Sequence, residues 1–238
     1  MRAAAKLPDL VQRALTVAVA GSALIWGIWV LPRSEAADDF RALEGQLLRF
    51  ETFSQTTLTQ EFEDQASHGL DRCDTHAERA MLLMEMPLAA SALRSGAAAG
   101  FDRRIQSMEA RSRQALSCAP RDSFIWLLTF DLAVLRGLSN EHSFGQLAMS
   151  YDTSPNEAWI AIRRIVIAVP LLLVAPDPVR QSILREFQLL IRNGFARDAA
   201  RAYLAAAEPV RALLQARVEQ LDPAGQKAFS DALRAPRP

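Results

Sequence analysis

Beyond residue 35 the apolar side chains recur every three or four positions, the period of a helix that buries one face. No stretch sustains the strict alternation of a half-buried strand. Val179, Ile183, Phe187, Leu190 and Ile191 share one helical face, as do Val210, Leu213, Leu214, Val218 and Leu221, and such stripes read as core. The fold class that follows is all-α.

The ends of the helices are marked as well. Thr75 with Glu78 and Ser154 with Glu157 have the spacing of capping boxes, in which short polar side chains satisfy N–H groups that a first turn leaves unpaired. Pro155, Pro178 and Pro223 each follow a Ser or Asp and fit the first helical position, where a missing N–H costs little. Gly194, after Arg192 and Asn193, supplies a left-handed stop. Helices are predicted over 36–53, 76–95, 101–117, 123–137, 142–152, 155–169, 178–192, 196–207, 209–221 and 223–233. Short connections make neighbours antiparallel hairpins.

Ala14 to Leu31 carries no charge and would extend about 27 Å as a helix, close to the thickness of a hydrocarbon core. Arg2, Lys6 and Arg13 precede it against a single Asp9, while Glu35, Asp38 and Asp39 follow Arg33. That excess of basic residues puts the N-terminal side in the cytoplasm, and Trp26 and Trp29 suit the far headgroup layer. Residues 1–33 thus read as a cytoplasmic tip and single-pass anchor in the inner (plasma) membrane, 34–72 as a helix and polar linker, and 73–238 as an extracytoplasmic, periplasmic domain. A cleaved signal peptide is the rival, since Ser34-Glu35-Ala36 offers small residues, but the apolar stretch is longer than an ordinary signal core. Ile165 to Ala175 is a second apolar run; interrupted by Pro170 and too short to cross a bilayer, it fits a core helix or its exit.

Two segments echo each other. Ala119 to Ile125 (APRDSFI) and Ser154 to Ile160 (SPNEAWI) share the order small, Pro, any, acid, any, aromatic, Ile, at nearly the period of a tetratricopeptide repeat. The stretch between them resembles a degenerate unit of that family. Trp126 stands for the early aromatic, Ser143 and Ser150 for the small residues of the second helix, and Pro155 for the terminal proline, whereas Thr129 and Phe130 replace the expected Leu and Gly. The resemblance spans about 60 residues and implies helical hairpins with a peptide-binding concave face. The segments DRCDTHAERA, CAPRDSFIWLLTF and SYDTSPNEAWIAIRR also resemble membrane-anchored helical proteins associated with alphaproteobacterial exopolysaccharide synthesis. That likeness implies a place beside polysaccharide machinery and supplies no catalytic residue.

Charge and chemistry refine this picture. The net charge is zero, and with several basic residues in the N-terminal segment the remainder is slightly acidic, which argues against nucleic acid as a partner. Cys73 and Cys118 are expected to form a disulfide if the domain lies in an oxidising compartment; buried, inert thiols are the alternative. His68, Cys73, His76 and Cys118 have the ligand types of a zinc site, but not the spacing of a standard one. Met81, Met84 and Met86 could hold Cu(I), yet they lie among leucines in a core-like stripe. Glu61, Glu63 and Asp64 fall in the polar linker, where solvated carboxylates are expected. No phosphate loop, nucleophile elbow or zinc-protease helix occurs.

Arg163 and Arg164 interrupt an otherwise apolar helix. A lone charge in a core is costly, so one of the pair is expected to face a groove or meet an acid, with a snorkelling surface arginine as the alternative. The function expected is a membrane-anchored periplasmic scaffold. It would dock a protein partner of the envelope or polysaccharide machinery, with Trp126, Trp159, Arg163 and Arg164 as possible groove contacts and with no cofactor, metal or catalytic residue. The rivals are an accessory enzyme domain acting on envelope glycan, which requires a polar cleft with a carboxylate of raised pKa, and a metal-binding periplasmic protein.

Overall fold

The computed structural model describes residues 11–28, 54–67 and 73–235, and every regular element among them is helical. The chain divides into two compact units, residues 1–70 with 76–84, and residues 71–75 with 85–238.

In the first unit, α1 (Val11–Ile28) is long and apolar enough to cross a membrane, and none of it is buried. Trp29, Arg33 and the helix predicted over 36–53 lie outside the described residues. The polar linker is helical where it is described. Helix α2 (Gln55–Ser67) buries Leu58 and Phe62, four positions apart on one face, and carries Glu61, Glu63 and Asp64. The Thr-rich composition hid this helix, because two large apolar side chains in thirteen residues make a weak stripe. Helix α3 (Thr75–Arg94) begins with Glu78 in its first turn and buries Met81 and Met84 completely, as a core stripe should.

The second unit holds the rest of α3 and α4 (Ala98–Cys118), α5 (Ser123–Leu135), α6 (Glu141–Thr153), α7 (Ala158–Ala168), α8 (Asp177–Arg192), α9 (Ala196–Ala205), α10 (Glu208–Val218) and α11 (Pro223–Arg234). Helices α5 and α6 pack extensively against each other, with α4 against α5, and α7 joins them to α8. Phe130 of α5 meets Phe144 of α6 at 5.6 Å between ring centres. Farther along, Phe229 of α11 stands edge-on to both Phe187 of α8 and Tyr203 of α9, at 5.6 and 5.4 Å.

Local chemistry explains the boundaries. Asp122 caps α5 by accepting from the N–H groups of Phe124 and Ile125, and Asp222 caps α11 through Gly225 N–H. A capping box that the spacing rules overlook starts α6, because Asn140 and Ser143 exchange hydrogen bonds. Ser154 and Pro155, by contrast, do not start a helix. Ser154 is the closing residue of α6, and α7 begins only at Ala158, with Glu157 at the capping position and no side-chain cap bond. Residues 154–157 are the non-helical connection between α6 and α7. Leu213 is exposed while Val210, Leu214, Val218 and Leu221 are buried, so the stripe on α10 is narrower than expected. After α7 a single 3-10 turn at Val169–Leu171 carries Pro170, so the apolar run from Ile165 to Ala175 is the end of a core helix and its exit.

Gly137 and Gly194 close α5 and α8 with positive φ, 75° and 89°. At the second, Phe195 N–H bonds Leu190 C=O and Gly194 N–H bonds Ile191 C=O, a Schellman closure. A Cβ on Gly194 would meet no atom within 4 Å. Gly194→Ala is therefore expected to cost about 1–2 kcal/mol through backbone conformation alone, measurable as a shift of the urea midpoint with an unchanged m-value.

Candidate functional site

The site is built from the apolar stripe of α7. Ile160, Ala161, Ile165 and Ala168 are buried there, and Arg164 lies among them with no exposed surface. A guanidinium so placed is stable only if its donors are met by acceptors and its charge by an acid. Both conditions hold. Arg164 Nε and Nη2 approach Glu186 Oε1 of α8 at 2.8 and 2.7 Å. Nη1 donates to Ser150 C=O at 2.8 Å and to its Oγ at 3.3 Å, and Nη2 donates to Ser154 C=O at 3.0 Å. These carbonyls belong to the end of α6, where a helix leaves acceptors unpaired and its dipole favours a cation. Ser150 Oγ donates in turn to Ser123 C=O at the start of α5. One arginine thus fastens α6, α7 and α8 together.

Tyr151 completes the arrangement. Its ring lies 4.5 Å from the Arg164 guanidinium carbon, and its hydroxyl donates to Glu186 Oε2 at 3.1 Å. Burial pushes the Glu186 carboxyl up to about 7 against the pull of Arg164, and burial beside Glu186 pushes the Tyr151 phenol well above its ordinary value.

Glu186 and Tyr151 also form part of the lining of a cleft of about 420 Å³. One bank is the end of α6 and the turn after it, with Tyr151, Asp152, Pro155 and Asn156; the other is α8, with Ser182, Arg185, Glu186 and Leu189. The α8 residues follow the spacing i, i+3, i+4, i+7 and therefore share one face of that helix. Among the described residues neither Asp152 nor Arg185 forms an ion pair, and both are exposed.

The other expected contacts are distributed more widely. Trp126 is half-buried and donates from Nε1 to Pro120 C=O at 2.8 Å. Trp159 is half-buried against Phe124, 5.8 Å between ring centres, and the Arg163 guanidinium stands 5.9 Å from the same Phe124 ring. Phe124 and Trp159 hold equivalent places in the two echoed segments, so the repeated aromatics meet each other. Trp159 and Arg163 are gathered around Phe124, whereas Arg164 grips an acid of its own chain. Neither Glu186 nor Tyr151 was singled out from sequence.

Cys73 and Cys118 are joined by a disulfide. Neither sulfur is then a thiolate ligand, which removes two of the four groups proposed for zinc; His68 lies outside the described residues. Two further acids are withdrawn from water. Glu85 of α3 accepts from Ser107 and lies near Arg104 and Arg111 of α4, and burial raises its pKa nonetheless. Asp131 of α5 has no such company, and burial pushes its carboxyl up to about 6. The folded protein therefore holds that proton more tightly than the unfolded chain. The resulting stabilisation is complete below the ordinary value of 3.8 and is lost as pH rises through about 6. Asp131→Asn is expected to remove on the order of 2 kcal/mol of this pH-dependent fall, read from urea unfolding at a series of pH values; an identical slope in the variant would refute it.

Compared with protein-family models, curated proteins and solved structures, the chain matches none.

Proposed function

We propose that this chain is a membrane-tethered interaction module, with α1 as the anchor, its N-terminal side in the cytoplasm, and the helical domain outside, where it docks a protein partner. The observation that carries this reading is the α6–α8 cleft, concave, with charged groups at its rim and a floor fixed by the Arg164 network. The basic residues before α1 and the Cys73–Cys118 disulfide support the orientation. The α5–α6 hairpin and the echoed helix starts support a degenerate tetratricopeptide-like scaffold. Their likeness to anchored proteins of exopolysaccharide synthesis makes envelope or polysaccharide machinery the first place to seek the partner.

A second reading, an accessory enzyme domain acting on envelope glycan, draws on Glu186, a carboxylate lifted to about 7 in a polar cleft that Asp152 also lines. Its two oxygens are held by Arg164 and Tyr151, an arrangement better suited to a rigid wall than to proton transfer. Photo-crosslinking residues installed one at a time over exposed positions of α4 to α11 in the full chain, in living cells, separate the two. Docking predicts a polypeptide adduct from a contiguous set of positions. No such adduct, with glycan cleavage by the purified protein that Asp152→Asn abolishes, would replace this reading with the enzymatic one.

A further inference from the structure

The connection from α7 to α8 is a surface segment without a polar side chain. From Ile165 to Pro176 the chain reads IVIAVPLLLVAP. Ile165, Ala168, Val169, Leu172 and Ala175 are buried, whereas Val166, Leu173 and Val174 are 52, 51 and 63% exposed, with Pro170 exposed beside them. A connection ordinarily stays in water because its backbone groups need partners. Here much of that need is met from within. Leu172 N–H donates to Val169 C=O, and the N–H groups of Val174 and Ala175 both donate to Leu171 C=O, all within 3.1 Å. Arg180 of α8 reaches back to the same segment. Its Nε donates to Leu172 C=O at 3.2 Å and its Nη2 to Ala175 C=O at 2.8 Å, while Nη1 meets the Asp177 carboxylate at 2.7 Å. The charges that bound the segment in sequence are therefore both paired, Arg164 with Glu186 and Asp177 with Arg180.

We propose that this apolar tip is a second membrane contact, seated at the boundary between headgroups and acyl chains of the bilayer that α1 crosses. It rests on the anchor in the reading above and adds an orientation, because a tether alone leaves the domain free to turn and a second contact does not. Lipid fits this surface better than a protein does. The anchor keeps the tip at high local concentration beside a bilayer, so a contact of a few apolar side chains is enough to be occupied. A protein interface sets its apolar centre inside a polar rim, and the segment has no polar side chain to contribute to one. Internal pairing of the backbone matters most in hydrocarbon, where neither water nor a partner supplies a missing hydrogen bond. Arg180 meets that condition for two carbonyls of the tip while Asp177 balances its charge.

The test uses the full-length protein in vesicles of phosphatidylethanolamine and phosphatidylglycerol, with flotation to report the anchor. The disulfide keeps both native sulfurs from reacting, so one added cysteine carries a nitrobenzoxadiazole fluorophore. It is placed at Val174→Cys or, as a water-facing control, at Leu213→Cys on α10, where the native side chain is 38% exposed. Lipids with a doxyl group near the headgroup end of the acyl chain are expected to quench the probe at 174 severalfold more than the probe at 213, and iodide in the water to do the reverse. Adding Leu173→Asp to Val174→Cys is expected to abolish the lipid quenching and leave flotation unchanged. Leu173 is exposed, and an unchanged urea midpoint in detergent verifies that this variant folds. A protein that floats with its probe at 174 no more lipid-quenched than that at 213 would overturn the inference and leave the tether standing. A probe at 174 shielded from iodide yet not quenched by lipid would also overturn it, in favour of a second copy or another protein on the tip. A protein that does not float would overturn tether and inference together.

Discussion

Arg164→Ala is expected to destabilise the helical domain by about 3–5 kcal/mol, the loss that follows when one partner of a buried ion pair is removed. The substitution leaves Glu186, 5% exposed, without its cation. It also strips the Ser150 and Ser154 carbonyls of a donor where α6 ends, and it opens a space beneath the Tyr151 ring. Three helices lose their common fastener at once, so the effect is read best as a drop in urea midpoint for the whole cooperative unit. Replacing the pair together, Arg164→Met with Glu186→Leu, is expected to recover most of that loss, because apolar side chains of similar volume remove the desolvation problem on both sides. If the double variant were as unstable as Arg164→Ala, the pair would contribute through the carbonyls of α6 more than through Glu186. If Arg164→Ala changed the midpoint little, the buried network would not hold these helices.

The second large effect concerns the disulfide. Cys73 and Cys118 are 45 positions apart and fasten the start of α3 to the end of α4. Closing a loop of that length lowers the entropy of the unfolded chain enough to stabilise the fold by about 4 kcal/mol on a chain-entropy estimate. Cys118→Ser, or reduction of the wild-type protein, is expected to cost that amount in a urea titration, and the two should agree. Adding reductant to Cys118→Ser should then change nothing further. A wild-type midpoint that does not respond to reductant would show that the ends of α3 and α4 are held by packing alone.

These two devices differ in how far the sequence discloses them. The disulfide was legible from the count of two cysteines and an expected compartment, because a pair has only one way to bond. The arginine was legible as an anomaly, a charge in the apolar stripe of α7, but its partner was not. Glu186 lies three residues after Ile183 and four before Leu190, on the same face as the buried stripe of α8. An acid in one core stripe and a base in the stripe of the helix before it is the signal that could have paired them. Of the predicted helices that lie among the described residues, every start except those of α4 and α7 was read to within one residue, because caps and prolines act locally. The start of α7 failed because a box pattern states what residues can do, while Ser154 is committed to ending α6 and to receiving Arg164. Helix α2 escaped notice because its buried face is only Leu58 and Phe62. The cleft itself was beyond reach, since it exists only once the turn after α6 is set against one face of α8, a matter of tertiary geometry rather than of any local pattern.

The proposed placement of the domain outside the membrane is tested most directly by thiol alkylation in intact cells, with and without prior reduction, read as a mobility shift. The account predicts that Cys73 and Cys118 resist modification until a reductant is added and then both react. Modification of both without reduction would contradict it, removing the disulfide and, with it, the oxidising compartment in which the helical domain is proposed to dock its partner.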